Sequence, residues 1–116
     1  MMQAALLKIR INHQGNTALG PGKIELLEHI AQHGSISAAA KQMRMSYRRA
    51  WELVDMMNRS FDQAVVVSTT GGAHGGGAQV TAFGQALMLA YAQILQKTAQ
   101  AAADELHLIN QHLKKI

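Results

Sequence analysis

Lys41, Arg44, Arg48, Arg49 and Arg59 put five of the chain's eleven Lys and Arg residues within nineteen positions, against Glu52 and Asp55. Guanidinium groups at that density suit recognition. Their planar fork can clamp a phosphate or take the O6/N7 edge of guanine with two parallel hydrogen bonds. A solvated helix face shows the same pattern, and charge alone leaves both readings open. A second set of residues is the stretch TTGGAHGGGAQVT (69–81), which packs five of the ten glycines into seven positions. Such a run can cradle phosphate, link domains or form a hairpin tip. Neither G-x-x-x-x-G-K-[ST] nor G-x-G-x-x-G occurs in it, and no strand feeds through it into a helix, so a nucleotide cradle is excluded. The histidines form the third set. His29 and His33, four apart, could share a helix face, whereas His107 and His112, five apart, chelate poorly. Without cysteine, and without a carboxylate at ligand spacing, they are read as surface residues. No metal or cofactor is expected. No nucleophile, base and orienting group can be assembled either, so no catalysis is expected.

These residues need elements to hold them. The chain has 116 residues, 48% of them hydrophobic and 16% charged, enough for one domain with one modest core. No apolar run reaches the roughly 20 residues that span a membrane, and the N-terminus lacks a signal-peptide core. A soluble, cytoplasmic protein is therefore expected. A net charge of +4 and a pI near 9.8 suggest a polyanionic partner, usually nucleic acid.

Along the chain, Ala5 to Ile11 reads as a short strand and NHQGNTALGPG as a loop. KIELLEHIAQHG is a helix with Ile24, Leu27, Ile30 and Ala31 at helical spacing and Gly34 as its stop. Ser35 or Ser37 can cap a short second helix, and Ser46 a third in which Ala50, Leu53, Val54, Met57 and Phe61 share a face. Ala38, Ala39 and Ala40 allow close helix approach, with Met43 and Met45 filling the corner. Two short helices joined by about three residues are the layout of a helix-turn-helix, although an ordinary helical hairpin shares it. The β-branched pieces Val65 to Ser68 and Gln79 to Thr81 flank the glycines, so the order becomes that of a winged helix. From Ala82 onward the chain is helical for about thirty residues without proline, with Thr81 as cap. Phe83, Leu87, Ala90, Ile94, Thr98, Ala101 and Ala102 form an apolar stripe that Leu106, Ile109 and Leu113 extend. A second copy of the chain is the expected cover for it, with folding back on its own domain the alternative. The predicted fold is thus mainly α with a small β wing, divided into 1–81 (winged helix-turn-helix) and 82–116 (dimerisation helix).

GSISAAAKQMRMSYRRAWELVDMMNR followed by TTGGAHGGGAQVTAFGQALMLAY resembles the N-terminal DNA-binding domain of the molybdate-responsive regulators of the ModE family, from about Leu6 to beyond Tyr91. More distantly it resembles the DNA-binding domains of LysR-type regulators. The resemblance implies a dimeric bacterial transcription factor on double-stranded, pseudo-palindromic DNA. Its recognition helix, about 46–60, would enter the major groove, with the wing, 69–79, on the backbone or minor groove. DNA contacts are then expected at Ser37, Lys41, Arg44, Ser46, Tyr47, Arg48, Arg49, Thr70, His74, Gly75 and Gly76. Trp51 is expected to pack rather than read bases. Two departures stand out. Arg44 occupies a turn position that commonly holds glycine, and His74 one that commonly holds lysine. Family members usually continue into molybdate-binding domains, and this chain offers no evident oxyanion pocket, so molybdate is not expected to bind it. Two other functions remain: a helical protein-interaction or co-regulator module, and an oxyanion or metal sensor with its ligand at the dimer interface.

Overall fold

The computed structural model describes residues 7–72 and 75–115. Leu7 to Arg10 precede an antiparallel hairpin, β1 (Ile11–His13) and β2 (Asn16–Leu19). Three helices follow: α1 (Pro21–His33), α2 (Ile36–Gln42) and α3 (Tyr47–Ser60). A second hairpin, β3 (Val66–Gly72) with β4 (Gly75–Val80), leads into α4 (Ala82–Ala101) and α5 (Ala103–His112). This is a mainly helical winged-helix arrangement, as the residue pattern anticipates.

Helix ends follow local chemistry. Pro21 opens α1, and Gly34 closes it at φ 73 with its N–H donating to Ile30 O. The Ser35 hydroxyl accepts from Ala38 N at 2.9 Å, so Ser35 rather than Ser37 caps α2. Ser46 caps α3 through Arg49 N at 3.0 Å, and Thr81 caps α4 through Gly84 N at 2.9 Å.

The core joins Leu26, Leu27 and Ile30 of α1 to Ala39 and Ala40 of α2 and to Ala50, Val54 and Met57 of α3. Val65, Val66, Ala78 and Val80 close it from the wing, and Tyr91 from α4. The fully buried alanines Ala39 and Ala50 let α2 and α3 approach closely. Ala31, placed on the apolar face by spacing, is exposed, whereas Leu26 is fully buried.

The wing is attached through two contacts. Ala78 N donates to Gly34 O at 2.9 Å, and a Cβ on Gly77 would lie 2.7 Å from that same oxygen. Gly77 therefore serves close packing, not only tip flexibility. The Asn58 carboxamide joins α3 to β3: its Oδ1 accepts from Val65 N at 2.7 Å and Val66 N at 3.1 Å, and its Nδ2 donates to Val66 O at 3.0 Å.

Three expectations need correction. Of the strand expected at Ala5 to Ile11, Ala5 and Leu6 lie outside the described residues and Leu7 to Arg10 form no strand; a hairpin stands further on, turning at Gln14 (φ 50) and Gly15 (φ 81). Two consecutive positive φ values are those of a two-residue type I′ turn, and Gln-Gly is a weak sequence signal for one. Strand pairing in the wing runs through the glycines as far as Gly72 and Gly75, so the tip is shorter than composition suggests. The C-terminal helix divides at Ala102 (φ −102, ψ 18). One turn earlier, Thr98 Oγ1 donates back to Ile94 O at 2.6 Å and Leu95 O at 3.1 Å, a side-chain bond that bends helices.

The first half of α4 packs on the chain's own core. Phe83, Leu87, Met88 and Leu95 lie against it, and Phe83 meets Phe61 edge to face at 5.8 Å. The stripe that the spacing assigned to a partner is thus partly used internally. Beyond it the helix projects: the radius of gyration is 16.8 Å, against about 13 Å for a compact chain of this length. Asn58→Ala should lower stability by about 2 kcal/mol or more, because it strands two partly buried N–H groups of the β3 start. Urea unfolding of both proteins checks this; equal midpoints would show that the carboxamide bonds do not hold the wing.

Candidate nucleic-acid interface

The α2–turn–α3 segment carries the densest set of expected contacts. Tyr47, Arg48 and Arg49 form the first turn of α3 and are all exposed, Tyr47 at 55%. Ser37 and Lys41 are exposed on α2, Arg44 in the turn and Ser46 at the cap. The Ser46 hydroxyl is occupied as acceptor by Arg49 N, which leaves its proton for an outside acceptor. Thr70 and Gly75 lie in β3 and β4, and Gly76 is exposed in β4. His74 lies outside the described residues.

Charge pairing separates the cations. Arg59 meets Asp55 at 3.0 Å, an exposed i,i+4 pair. Among the described residues, Lys41, Arg44, Arg48 and Arg49 form no ion pair. Four uncompensated cations thus lie between residues 41 and 49 at the N-terminal end of α3, where phosphates and base edges would be met.

Arg44 has φ 56, a left-handed conformation. Arg44 N donates to Lys41 O at 3.2 Å and Met45 N to Ala40 O at 3.0 Å, the two bonds of a Schellman cap with arginine where glycine is usual. The departure noted in the sequence therefore falls on a position that does require positive φ.

Trp51 corrects an expectation. It is 48% exposed on α3, one turn after Tyr47, rather than buried as packing. Its inner edge borders a small cavity of about 180 Å³ between α3 and the wing, lined also by Ile36, Val54 and Asn58. Two exposed aromatic rings beside two free guanidiniums can meet thymine methyls as well as phosphates.

Spacing missed a second cationic feature. Lys8, Arg10, Lys23 and Arg49 line one groove of about 680 Å³ that also includes Asn16, Gly22 and Leu53. Among its described lining residues none is acidic. Lys23 is only 6% exposed, and its ammonium donates to Thr17 O. Burial, with the Arg49 guanidinium as a second cause, holds the Lys23 pKa below its ordinary value. The available signal was the Lys8-Ile9-Arg10 alternation, which puts two cations on one side of an extended segment.

His29 and His33 stack with ring centroids 5.8 Å apart, and His29 Nε2 lies 4.0 Å from Glu25. The His29 Nδ1 is buried and has no hydrogen-bond partner among the described residues. Among the described residues no three His, Cys, Asp or Glu side chains gather as a metal cluster. No helix among them is long and apolar enough to cross a membrane.

Taken together, the capped α2–α3 pair, the exposed basic first turn and the attached hairpin define a winged helix-turn-helix protein. The sequence pattern of the bacterial regulatory helix-turn-helix proteins of the lysR family matches residues 22–85, and the chain belongs to that family. It is also similar to the DNA-binding transcriptional dual regulator ModE of Escherichia coli K12, 40% identical over 107 residues. That match covers 90% of this chain and 40% of the relative. The molybdenum-pterin-binding protein MopA of Rhodobacter capsulatus is 38% identical over 77% of this chain and 34% of its own length. The molybdenum transport protein ModE of Azotobacter vinelandii is 38% identical over 87% and 37%. The chain thus spans about two fifths of the length of these relatives. The ModE-like resemblance of the DNA-binding segment holds on that similarity, and the family is one of regulators rather than enzymes.

Arg44→Gly should stabilise the chain by about 1 kcal/mol by removing the left-handed penalty at the turn. Thermal unfolding checks this, with an expected rise of a few degrees; an unchanged or lower midpoint would mean that the arginine side chain contributes as much as its backbone costs.

Proposed function

We propose that this chain is the DNA-binding part of a dimeric transcriptional regulator in the bacterial cytoplasm, with residues 1–81 as the DNA-binding unit and 82–116 as the dimerisation element. The observation that carries the reading is the first turn of α3. Tyr47, Arg48 and Arg49 are exposed, and neither guanidinium is paired with an acid among the described residues. With α3 in the major groove, Arg48 and Arg49 are within reach of guanine edges or phosphates. Ser37, Lys41, Arg44 and Ser46 flank them on the backbone, and Thr70, His74, Gly75 and Gly76 of the wing reach the neighbouring backbone or minor groove.

Leu89, Leu108, Ile109 and Leu113 are more than half exposed on α4–α5 and its end. Exposed aliphatic side chains on a projecting helix favour association with a second copy. Two-fold pairing would set two recognition helices about one DNA turn or a multiple apart, on a pseudo-palindromic site. The names of two of these relatives refer to molybdenum, but this chain corresponds to only part of each, and molybdate binding is not assigned to it.

The first test is selection of bound fragments from sheared genomic DNA at moderate salt. A two-fold-related motif is the expected result, and no enrichment over random DNA would count against the reading. Arg48→Ala should relax base preference by about 1–3 kcal/mol at one position of each half-site. Lys41→Ala should weaken binding to every sequence and lower the salt slope by about one phosphate contact. If both variants kept the parent's specificity and affinity, α3 would be misplaced as the recognition helix. A Leu108→Ser/Ile109→Ser double variant should shift sedimentation from dimer toward monomer; an unmoved distribution would place the interface elsewhere.

A further inference from the structure

We propose that the groove between the Leu7–Arg10 arm, the start of α1 and α3 seats a phosphate of the DNA backbone, giving the protein a clamp on the hairpin side of the recognition helix. The inference rests on the DNA-binding reading above and adds to it a surface that the start of the chain and α1 complete beside α3.

The first argument is charge. Lys8, Arg10, Lys23 and Arg49 come from three separate parts of the chain and converge on one groove, with no carboxylate among its described lining residues. Like charges gathered in one concavity repel one another, and walls of low dielectric focus the field that results. Met45, Leu53 and Met56 supply such a wall. Lys23 adds to the imbalance: it is 94% buried, and among the described residues its ammonium, which carries three donors, gives one to the Thr17 carbonyl. An anion there would also offset the burial and Arg49 repulsion that depress the Lys23 pKa.

The second argument is placement. Lys8 and Arg10 are exposed but not free to trail, because the Tyr91 hydroxyl donates to Ile9 O at 2.6 Å. Tyr91 is itself buried in α4, so the backbone between the two cations is pinned to the core. Lys8 and Arg10 are exposed on either side of the partly buried Ile9, and both line the groove. Arg49 belongs both to this groove and to the first turn of α3, so a strand followed by α3 continues along the groove. Continuity of the groove with the first turn of α3 through Arg49 favours a polymer's phosphate over a free anion.

The test compares the full chain with its Lys8→Gln/Arg10→Gln double variant on the selected DNA, across about 50–200 mM salt. Both side chains are exposed, so the melting curve of the variant should match the parent's. The expected result is at least tenfold weaker binding at the low-salt end. The plot of log affinity against log salt should be shallower by about 1.8, the contribution of two phosphate contacts. Base preference should not change, and ethylation interference should disappear only at phosphates flanking the half-site. An unchanged slope and affinity with a binding parent would overturn the seat while leaving the DNA-binding reading intact. A parent without DNA affinity would overturn both. A melting point raised by inorganic phosphate in the parent but not in the variant, with equal DNA slopes, would assign the groove to a free oxyanion and overturn the proposal.

Discussion

The orientation of the exposed first turn of α3 depends on how the buried side of that helix is tied to its neighbours, and Asn58 makes the tie to the wing. Its carboxamide satisfies both N–H groups where β3 begins and donates to Val66 O, so helix and hairpin share three hydrogen bonds through one side chain. On the far side of the wing, Ala78 N binds Gly34 O, and Gly77 leaves no room for a side chain against that carbonyl. The wing is thereby held by α3 at one strand and by the end of α1 at the other. A hairpin of two short strands is marginal alone; these contacts give it a fixed relation to α3.

Basic charge acquires meaning from that frame. Arg59 pairs with Asp55, whereas among the described residues Arg48 and Arg49 form no ion pair at the end of α3 that carries its positive dipole. Arg49 then links two surfaces, the recognition turn and the groove bordered by Lys8, Arg10 and Lys23. A strand of DNA lying across α3 would meet the wing on one side and this groove on the other, so contact would come from both flanks of a small domain.

The helix-turn-helix was readable because its signals are local. Serine caps, an alanine-rich short helix and a period of 3.6 in Ala50, Val54 and Met57 act within a few turns. The long glycine run was readable as a wing only through the order of the elements around it. Its composition suggested a loose tip, yet Gly77 is there because another backbone comes close. The β1–β2 hairpin escaped notice because Gln14–Gly15 is an unusual pair for a turn that needs two positive φ values. Arg44 stands where glycine is usual, and only the folded backbone, with φ 56, puts it in the left-handed region.

By itself the sequence determined the helical elements, the caps at Ser46 and Thr81 and the basic first turn of α3, which depend on spacing within one segment, and the wing, which follows from the order of the elements. Only the tertiary structure decided that Trp51 is exposed, that Phe83 and Leu87 serve the chain's own core, and that Lys8, Arg10 and Lys23 meet Arg49 in one groove. These facts depend on which distant segments come together. Tyr91, for example, pins Ile9 from 82 positions away. No local periodicity encodes such a contact, because it arises from the packing of α4 against the start of the chain.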